Sequence, residues 1–430
     1  MSGPQPHHVV IVGGGFAGLH AAKRLGKSDF RVTLVDKRNF QLFQPLLYQV
    51  ATGSLPPGDI AIPQRVVLRK YRNVRVIQST ARDVDPARKV LSHEFGELAY
   101  DTLIVATGVK HSYFGHDEWR AFAPGLKTIE HATEMRHRIF KAFERAEITD
   151  DAAERAKLMT FVIVGAGPTG VELAGALGEL AHKIMVKDFR AINTRDAKII
   201  LIEGAKHVLP PYDEHLRVAA RKSLEALGVT VLTETIVQDV GKDFVRTGKE
   251  TISCGTVLWA AGVTTSAFGL ALAKRLNLKL ERGGRIAVRD DNSLPEHPEI
   301  FVVGDLAKLV DATGREVPGL AQGAIQCGDR VADLLMARAK GKTLRPFKYR
   351  DYGTMAVIGM NHAVGDLKFM KVSGIFAWFI WALVHVMSLV DAEQRVRVFA
   401  QWAFKYFTWR EGDRLITQSL PASARSEEDG

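Results

Sequence analysis

His8-Val9-Val10-Ile11-Val12-Gly13-Gly14-Gly15-Phe16-Ala17-Gly18 is the stretch whose reading decides the fold. Five residues suited to a buried strand run into a glycine turn, and helical spacing then continues through Leu19, Ala21, Ala22 and Leu25. Gly13, Gly15 and Gly18 match G-x-G-x-x-G, and each position has a physical reason. The first glycine permits the tight turn, the second lets the backbone approach a pyrophosphate, and the third lets helix and strand pack closely. The free N–H groups and positive dipole end of the helix then face the phosphates. A second strand, Arg31 to Asp36, ends in an acid 18 residues after Gly18, where a ribose-binding carboxylate is expected.

The pattern recurs. Met159-Thr160-Phe161-Val162-Ile163-Val164-Gly165-Ala166-Gly167-Pro168-Thr169-Gly170 again reads as strand, glycine turn and helix, the last through Val171, Leu173, Ala174 and Leu177. The strand Lys198 to Glu203 closes on an acid, after a polar insertion from His182 to Asp196. Two dinucleotide sites in one chain imply one dinucleotide held and one visiting, the logic of a flavoprotein reduced by a nicotinamide.

At 430 residues the chain is long enough for two or three domains. A net charge of +10 suits an acidic dinucleotide or an anionic membrane surface. No aromatic-basic reader motif accompanies the fingerprints, so nucleic acid is not expected as a partner. The two cysteines, Cys254 and Cys327, form neither a C-x-x-C nor a metal spacing, which suits a reducing compartment and no metal site. The first eight residues do not read as a secretory signal.

Val74 to Gln78 and Lys89 to His93 alternate like strands, and Asp101 to Gly108 is an apolar strand ending in a small-residue turn. Thr128 to Glu147 has helical spacing and reads as the bridge into a second domain. Val257 to Gly262 follows the second fingerprint as Asp101 to Gly108 follows the first, and Glu299 to Asp305 is a later strand closing on Gly-Asp. The expected architecture is α/β: a Rossmann-like FAD domain (1–120 and 265–345) with a Rossmann-like NADH domain (121–264) inserted into it. A C-terminal membrane-associating region (346–430) follows. The amide- and aromatic-rich stretch from Lys37 to Gly53 is either a packed loop or a wall against the flavin.

The tail differs in character. Val372 to Val390 carries no formal charge over 19 residues, about 28 Å as a helix and just short of the hydrocarbon thickness. Trp378 and Trp381 would lie near the bilayer centre, and the flanking cations show no positive-inside asymmetry, so a span is disfavoured. Gln394 to Arg410 mixes aromatics with cations, the composition of a helix lying in the headgroup layer. Monotopic binding is the expectation. Helices packed on the domains, or a homodimer face, are the competing uses of the same pattern.

Beyond the fingerprints, Phe43 to Gly53, Val302-Val303-Gly304-Asp305, Ala321-Gln322-Gly323-Ala324-Ile325-Gln326 and the Ala377 to Trp381 run make the chain resemble the type II NADH dehydrogenases. These are non-pumping NADH:quinone oxidoreductases of the two-dinucleotide flavoprotein superfamily. The resemblance runs from about His8 to Leu415, and its A-Q-x-A-x-Q segment is the most diagnostic. One departure is the polar turn Asp391 to Gln394, which bears on insertion depth.

The resemblance implies hydride transfer from NADH to FAD, then two electrons to a membrane quinone, ubiquinone or menaquinone. It implies a peripheral enzyme on the cytoplasmic side of the cell membrane. Cofactor contacts would fall on Gly13, Gly15, Phe16, Ala17, Gly18, Asp36, Lys37, Thr52, Thr107 and Gly108. Further contacts would come from Gly165, Gly167, Gly170, Glu203, Gly262, Gly304, Asp305, Ala321 and Gln322. Asp36 would bind the FAD ribose and Asp305 the ribitol–pyrophosphate region. Glu203 would bind the NADH ribose and repel a 2′-phosphate, an effect weakened by nearby Lys206. Gln322 and Gln326, four apart on one helix face, would border the quinone site; Glu172 would position or transfer a proton. A solvated helix face is the ordinary reading of such a glutamine pair, and a dipole-favoured surface acid that of Glu172.

Three other functions compete. A disulfide reductase needs a redox cysteine pair, and none lies between Gly18 and Gly108. A sulfide:quinone oxidoreductase could use Cys254 and Cys327 but does not need a complete nicotinamide fingerprint. A flavin-bound interaction protein would bind NADH without turnover.

Overall fold

A computed structural model describes residues 6–410 and 412–416. The first five residues and the end of the C-terminal region, 417–430, lie outside the described residues.

The opening stretch forms strand β1 (His8–Val12) and helix α1 (Phe16–Leu25), followed by β2 (Arg31–Asp36), the short helix α2 (Leu47–Ala51) and β3 (Val74–Gln78). An antiparallel trio, β4 (Ala81–Asp85), β5 (Val90–His93) and β6 (Gly96–Ala99), leads to β7 (Thr102–Val105) and β8 (Val109–His111). Val9, Val10 and Ile11 are fully buried, as expected of a parallel strand covered on both faces.

The bridging helix is α3 (Ile129–Ile148), capped by Thr128, whose hydroxyl accepts from the His131 N–H. The second unit follows with β9 (Thr160–Val164), α4 (Pro168–Glu179), β10 (Lys198–Ile202), α5 (Glu214–Ala226) and β11 (Val229–Leu232). A second antiparallel trio, β12 (Val237–Val240), β13 (Phe244–Thr247) and β14 (Thr251–Ser253), leads to β15 (Thr256–Trp259) and β16 (Val263–Thr265). The chain then returns with β17 (Ile300–Val302) and α6 (Ala321–Arg338).

Strand order shows how the units interleave. The first parallel sheet runs β17-β7-β1-β2-β3, and the second, β11-β10-β9-β15, is completed before β17 arrives. The pair β8 and β16, antiparallel, is the two-stranded crossing where the chain leaves the first unit and comes back. Helix α6 packs on α1 so closely that a Cβ on Gly328 would strike the Ala17 carbonyl oxygen. This contact brings the N-terminal end of α6 to the first glycine turn.

A third, smaller module completes the chain: β18 (Thr354–Gly359), β19 (His362–Asp366) and β20 (Lys371–Ser373) form an antiparallel sheet. It lies on α4, where Gly175 meets the Ile358 carbonyl. Helices α7 (Gly374–Ser388) and α8 (Ala392–Thr408) follow. The polar run from Asp391 to Gln394 is a helix start rather than a turn, because the Asp391 carboxylate accepts from the Glu393 N–H. No helix among the described residues is long and apolar enough to cross a membrane. Trp381, expected near a bilayer centre, is instead 2 % exposed, stacked between Trp402 and His385. Truncating such a ring to alanine costs about 3–5 kcal/mol.

Candidate active site

Gly13 has φ +100°, and a Cβ there would lie 2.5 Å from the Ala106 carbonyl oxygen, so the turn admits only glycine. A Cβ on Gly18 would collide with the Gly13 carbonyl, whereas one on Gly15 would meet nothing within 4 Å. The backbone at Gly15 therefore faces open space: a cleft of about 300 Å³. The cleft is lined by Gly13, Gly15, Phe16, Ala17, Asp36, Lys37, Thr107, Gly108, Gly304 and Asp305. Gly18 stands behind it as packing.

Asp36 sits at the cleft with one oxygen accepting from the Gly14 N–H at 2.5 Å and the other from the Arg38 N–H at 2.7 Å. Burial raises its pKa, and those two N–H groups oppose the rise. The acid thus holds the glycine turn in shape while lining the cleft.

Arg38, Ser79 and Thr80 line the Asp36 end, and Lys127, Thr128 and His131 reach in from the start of α3. Sequence reasoning missed these because they are polar residues on separate elements with no motif between them. Burial holds the Lys127 ammonium below the usual lysine range, with the Asp305 carboxylate opposing.

The residues fit a dinucleotide. A bare helix N-terminus, a glycine whose absent side chain leaves room for a phosphate, and a strand-end acid lie along one cleft. Helix α6 adds a second N-terminus without a side-chain cap, just after Gly319, whose Cβ would lie 3.7 Å from the Asp305 carboxyl carbon.

The second motif repeats these details. Gly165 has φ +98°, a Cβ on Gly170 would strike the Gly165 carbonyl, and one on Gly167 would meet nothing within 4 Å. Glu203 accepts from the Ala166 N–H at 2.7 Å and from the Ala205 N–H at 2.8 Å. Gly262 has φ +66° and lies against the Phe114 ring.

Glu172, two residues past Gly170, lines a second, smaller cavity between α4, α2, β18 and the C-terminal helices. Burial pushes its carboxyl well above the ordinary carboxylate range, opposed by the Val357 N–H. Gln49 shares this cavity, accepting from the Trp402 indole at 2.8 Å and donating to the Tyr48 hydroxyl at 2.7 Å. The Lys37 to Gly53 stretch is therefore a wall with two faces: Leu42 and Gln44 reach the first cleft, Tyr48 and Gln49 the second cavity. Thr52 faces neither; its hydroxyl donates to the Tyr48 carbonyl in the interior.

Gln322 and Gln326 do share a face of α6, but main chain occupies both amides. Gln322 donates to the Gly353 carbonyl at 2.8 Å and accepts from the Tyr352 N–H at 3.1 Å. Gln326 donates to the Arg350 carbonyl at 2.8 Å and accepts from the Arg350 N–H at 2.9 Å. The pair clamps the segment entering the C-terminal module onto α6. Ala324 of this helix lines the first cleft, whereas Ala321 and Gln322, expected at the cofactor, are not among its walls.

Cys254 and Cys327 are buried in different cores. Burial pushes their thiols up to about 12 and about 11 respectively, which leaves neither as a ready nucleophile. Helices α7 and α8 expose Phe376, Phe379, Leu383, Phe399, Phe404 and Phe407.

A profile of the pyridine nucleotide-disulphide oxidoreductases matches residues 7–328, and one of the NDH2 C-terminal domain matches residues 352–411. The type II NADH:quinone oxidoreductase Ndh of Mycobacterium tuberculosis is 41% identical, over 99% of this chain and 94% of its own. NdhA of the same organism is 39% identical over 96% of this chain and 90% of its own. A structure of NDH2 from Plasmodium falciparum in complex with NADH matches in fold at TM-score 0.87 and 19% identity, covering 96% of this chain and 100% of that one. A sulfide:quinone oxidoreductase from Aquifex aeolicus matches at TM-score 0.68 and 18% identity, over 98% of this chain and 94% of that one. With the C-terminal module matched as well as the paired nucleotide motifs, the chain belongs to the type II NADH:quinone oxidoreductases.

Proposed function

We propose that this chain is an FAD-dependent enzyme that oxidises NADH and reduces a membrane quinone, moving no proton across the bilayer. The observation carrying the reading is the pair of equivalent glycine turns, one opening into a cleft and the other beside a cavity that reaches the C-terminal helices. FAD bound in the first cleft supplies the two-electron redox chemistry. Gly13, Gly15, Phe16, Ala17, Lys37, Thr107, Gly108 and Gly304 would shape its bed, Asp36 would take the adenosine ribose and Asp305 the ribitol region. Gly18 would act by packing, and Ala321 and Gln322 by holding the N-terminal end of α6 toward the cleft, where its dipole favours negative charge.

Gly165, Gly167, Gly170 and Gly262 would receive NADH, with Glu203 on its ribose. A carboxylate there disfavours NADPH. Glu172 would hold a proton at the second cavity, and Gln322 and Gln326 would keep the 350–353 segment in place. The boundaries 1–120 with 265–345, 121–264 and 346–430 follow the same division of labour.

The protein associates peripherally with the membrane in this reading, through the exposed aromatic face of α7 and α8 on the cytoplasmic side. The quinone, ubiquinone or menaquinone, would enter beneath that face. A homodimer built on the same face is the competing use.

Steady-state assays of detergent-solubilised protein with NADH, NADPH and short-chain quinones test the proposal. Turnover with NADH and quinone, in yellow protein carrying one FAD per chain, is expected. Colourless protein, or NADH binding without quinone turnover, overturns it. Phe399→Asp with Phe407→Asp should release the protein from vesicles; a variant that stays bound removes the peripheral assignment.

A further inference from the structure

We propose that Glu179 and Lys405 form the entry of a proton relay that ends on Glu172. The inference rests on the proposed quinone reduction. Turning a quinone into a hydroquinone takes two electrons and two protons. NADH gives up two electrons and one proton as hydride, so the second proton has to come from water.

The second cavity has the parts to bring it. Glu172 and Glu179 lie seven residues apart on α4, two turns along one helix face, and both line the same space. That space, about 50 Å³, exceeds the roughly 10–15 Å³ that one water needs, so it has room for a short water chain. Its walls carry polar atoms suited to hold such waters, on Gln49, Tyr48 and Ser54.

Glu179 is 3 % exposed yet kept in one pose. One carboxylate oxygen accepts from the Met360 N–H at 2.5 Å, and the other faces the Lys405 ammonium at 3.8 Å. Lys405 also reaches the Ser54 hydroxyl at 3.4 Å, and its side chain is 18 % exposed, so the pair marks where the cavity approaches solvent. Lys405 comes from α8, and β18 leads into the Met360 turn, so three elements converge on one carboxylate. A buried carboxylate keeps its charge only with such partners, and here the cation sits at the solvent side of the cavity.

The groups facing Glu172 and Glu179 are Tyr48 from α2, Lys405 from α8, Tyr212 from the segment before α5, and His385 of α7 behind Trp381. Burial pushes the Tyr212 hydroxyl up and His385 down, to about 4, so both stay neutral near pH 7 and neither competes for the proton. In the relay, the Glu172 O–H gives its proton to a quinone oxygen. The resulting carboxylate regains one through cavity water from Glu179, whose carboxylate first takes that proton from solvent at the Lys405 rim.

The test uses full-length, FAD-loaded protein in detergent. Glu179→Gln should lower quinone-dependent kcat at least tenfold, alter the pH–rate profile and raise the solvent isotope effect on kcat. Bleaching of the flavin by NADH, followed by stopped flow, should proceed at the wild-type rate, and Glu179→Asp should restore part of the kcat. If Glu179→Gln does not fold, Lys405→Met is expected to move kcat, profile and isotope effect in the same direction. A folded Glu179→Gln or Lys405→Met protein with unchanged kcat and pH profile overturns the relay, as does a loss that tracks lost FAD. Wild-type protein unable to reduce quinone removes the proposed function and the relay with it.

Discussion

The two glycine turns are near copies in backbone and opposites in surroundings. Gly13 and Gly165 share a left-handed φ of +100° and +98°, Gly18 and Gly170 close the same contact, and Asp36 and Glu203 each tie their turn to a neighbouring strand end. What differs is the roof. Helix α1 is covered by α6, and the first cleft is closed further by residues from the start of α3. Helix α4 is covered by β18, which delivers the C-terminal helices instead. The turn sets the class of molecule that fits; its cover decides which parts of the chain that molecule meets.

The sharpest way to break this comparison is to fill each cradle in turn. Gly15→Val and Gly167→Val both project into open space, so neither should unfold the chain. Gly15→Val should yield colourless protein, read by the ratio of flavin to protein absorbance. Gly167→Val should stay yellow while KM for NADH rises about 100-fold, roughly 3 kcal/mol of lost binding. The reverse pattern would exchange the two assignments.

A smaller effect is expected at the second acid. Glu203→Ala should raise KM for NADH about tenfold, roughly 1.4 kcal/mol, and narrow the preference for NADH over NADPH. An unchanged coenzyme preference would sever Glu203 from the ribose.

Glu172 separates the two roofs by pH. Its folded pKa is raised by burial, so the folded chain binds that proton more tightly than the unfolded chain. The contribution is present at low pH and lost as pH rises from the unfolded carboxylate pKa toward the raised folded one. Chemical denaturation across that range should show Glu172→Gln losing less stability with rising pH than wild type. Equal slopes would place Glu172 in contact with solvent.

The smallest effect is at the cysteines. Cys254→Ser with Cys327→Ser should leave quinone turnover within about twofold, since burial in separate cores keeps both thiols protonated. Loss of turnover with intact FAD would restore the sulfide:quinone alternative.

Much of this was legible in the chain because the signals are local. A strand, a glycine turn, a helix and an acid lie within one βαβ unit, and so do their physical reasons. The helix from Thr128 and the return strand at Ile300 were legible for the same reason. Local spacing also placed Gln322 and Gln326 on one face but could not name their partners, which are main-chain groups 24 to 31 residues further on. It left Thr52 at the cofactor, whereas its hydroxyl closes the end of α2.

By itself, then, the sequence determined the two nucleotide units, their order and the acids that close them, because each is written within one turn of supersecondary structure. Only tertiary structure decided that Trp381 turns inward, that Gln49 faces Glu172, and that Glu179 meets Lys405 across 226 residues of chain. Such contacts arise from how three modules pack on one another, and packing leaves no periodicity in any one of them.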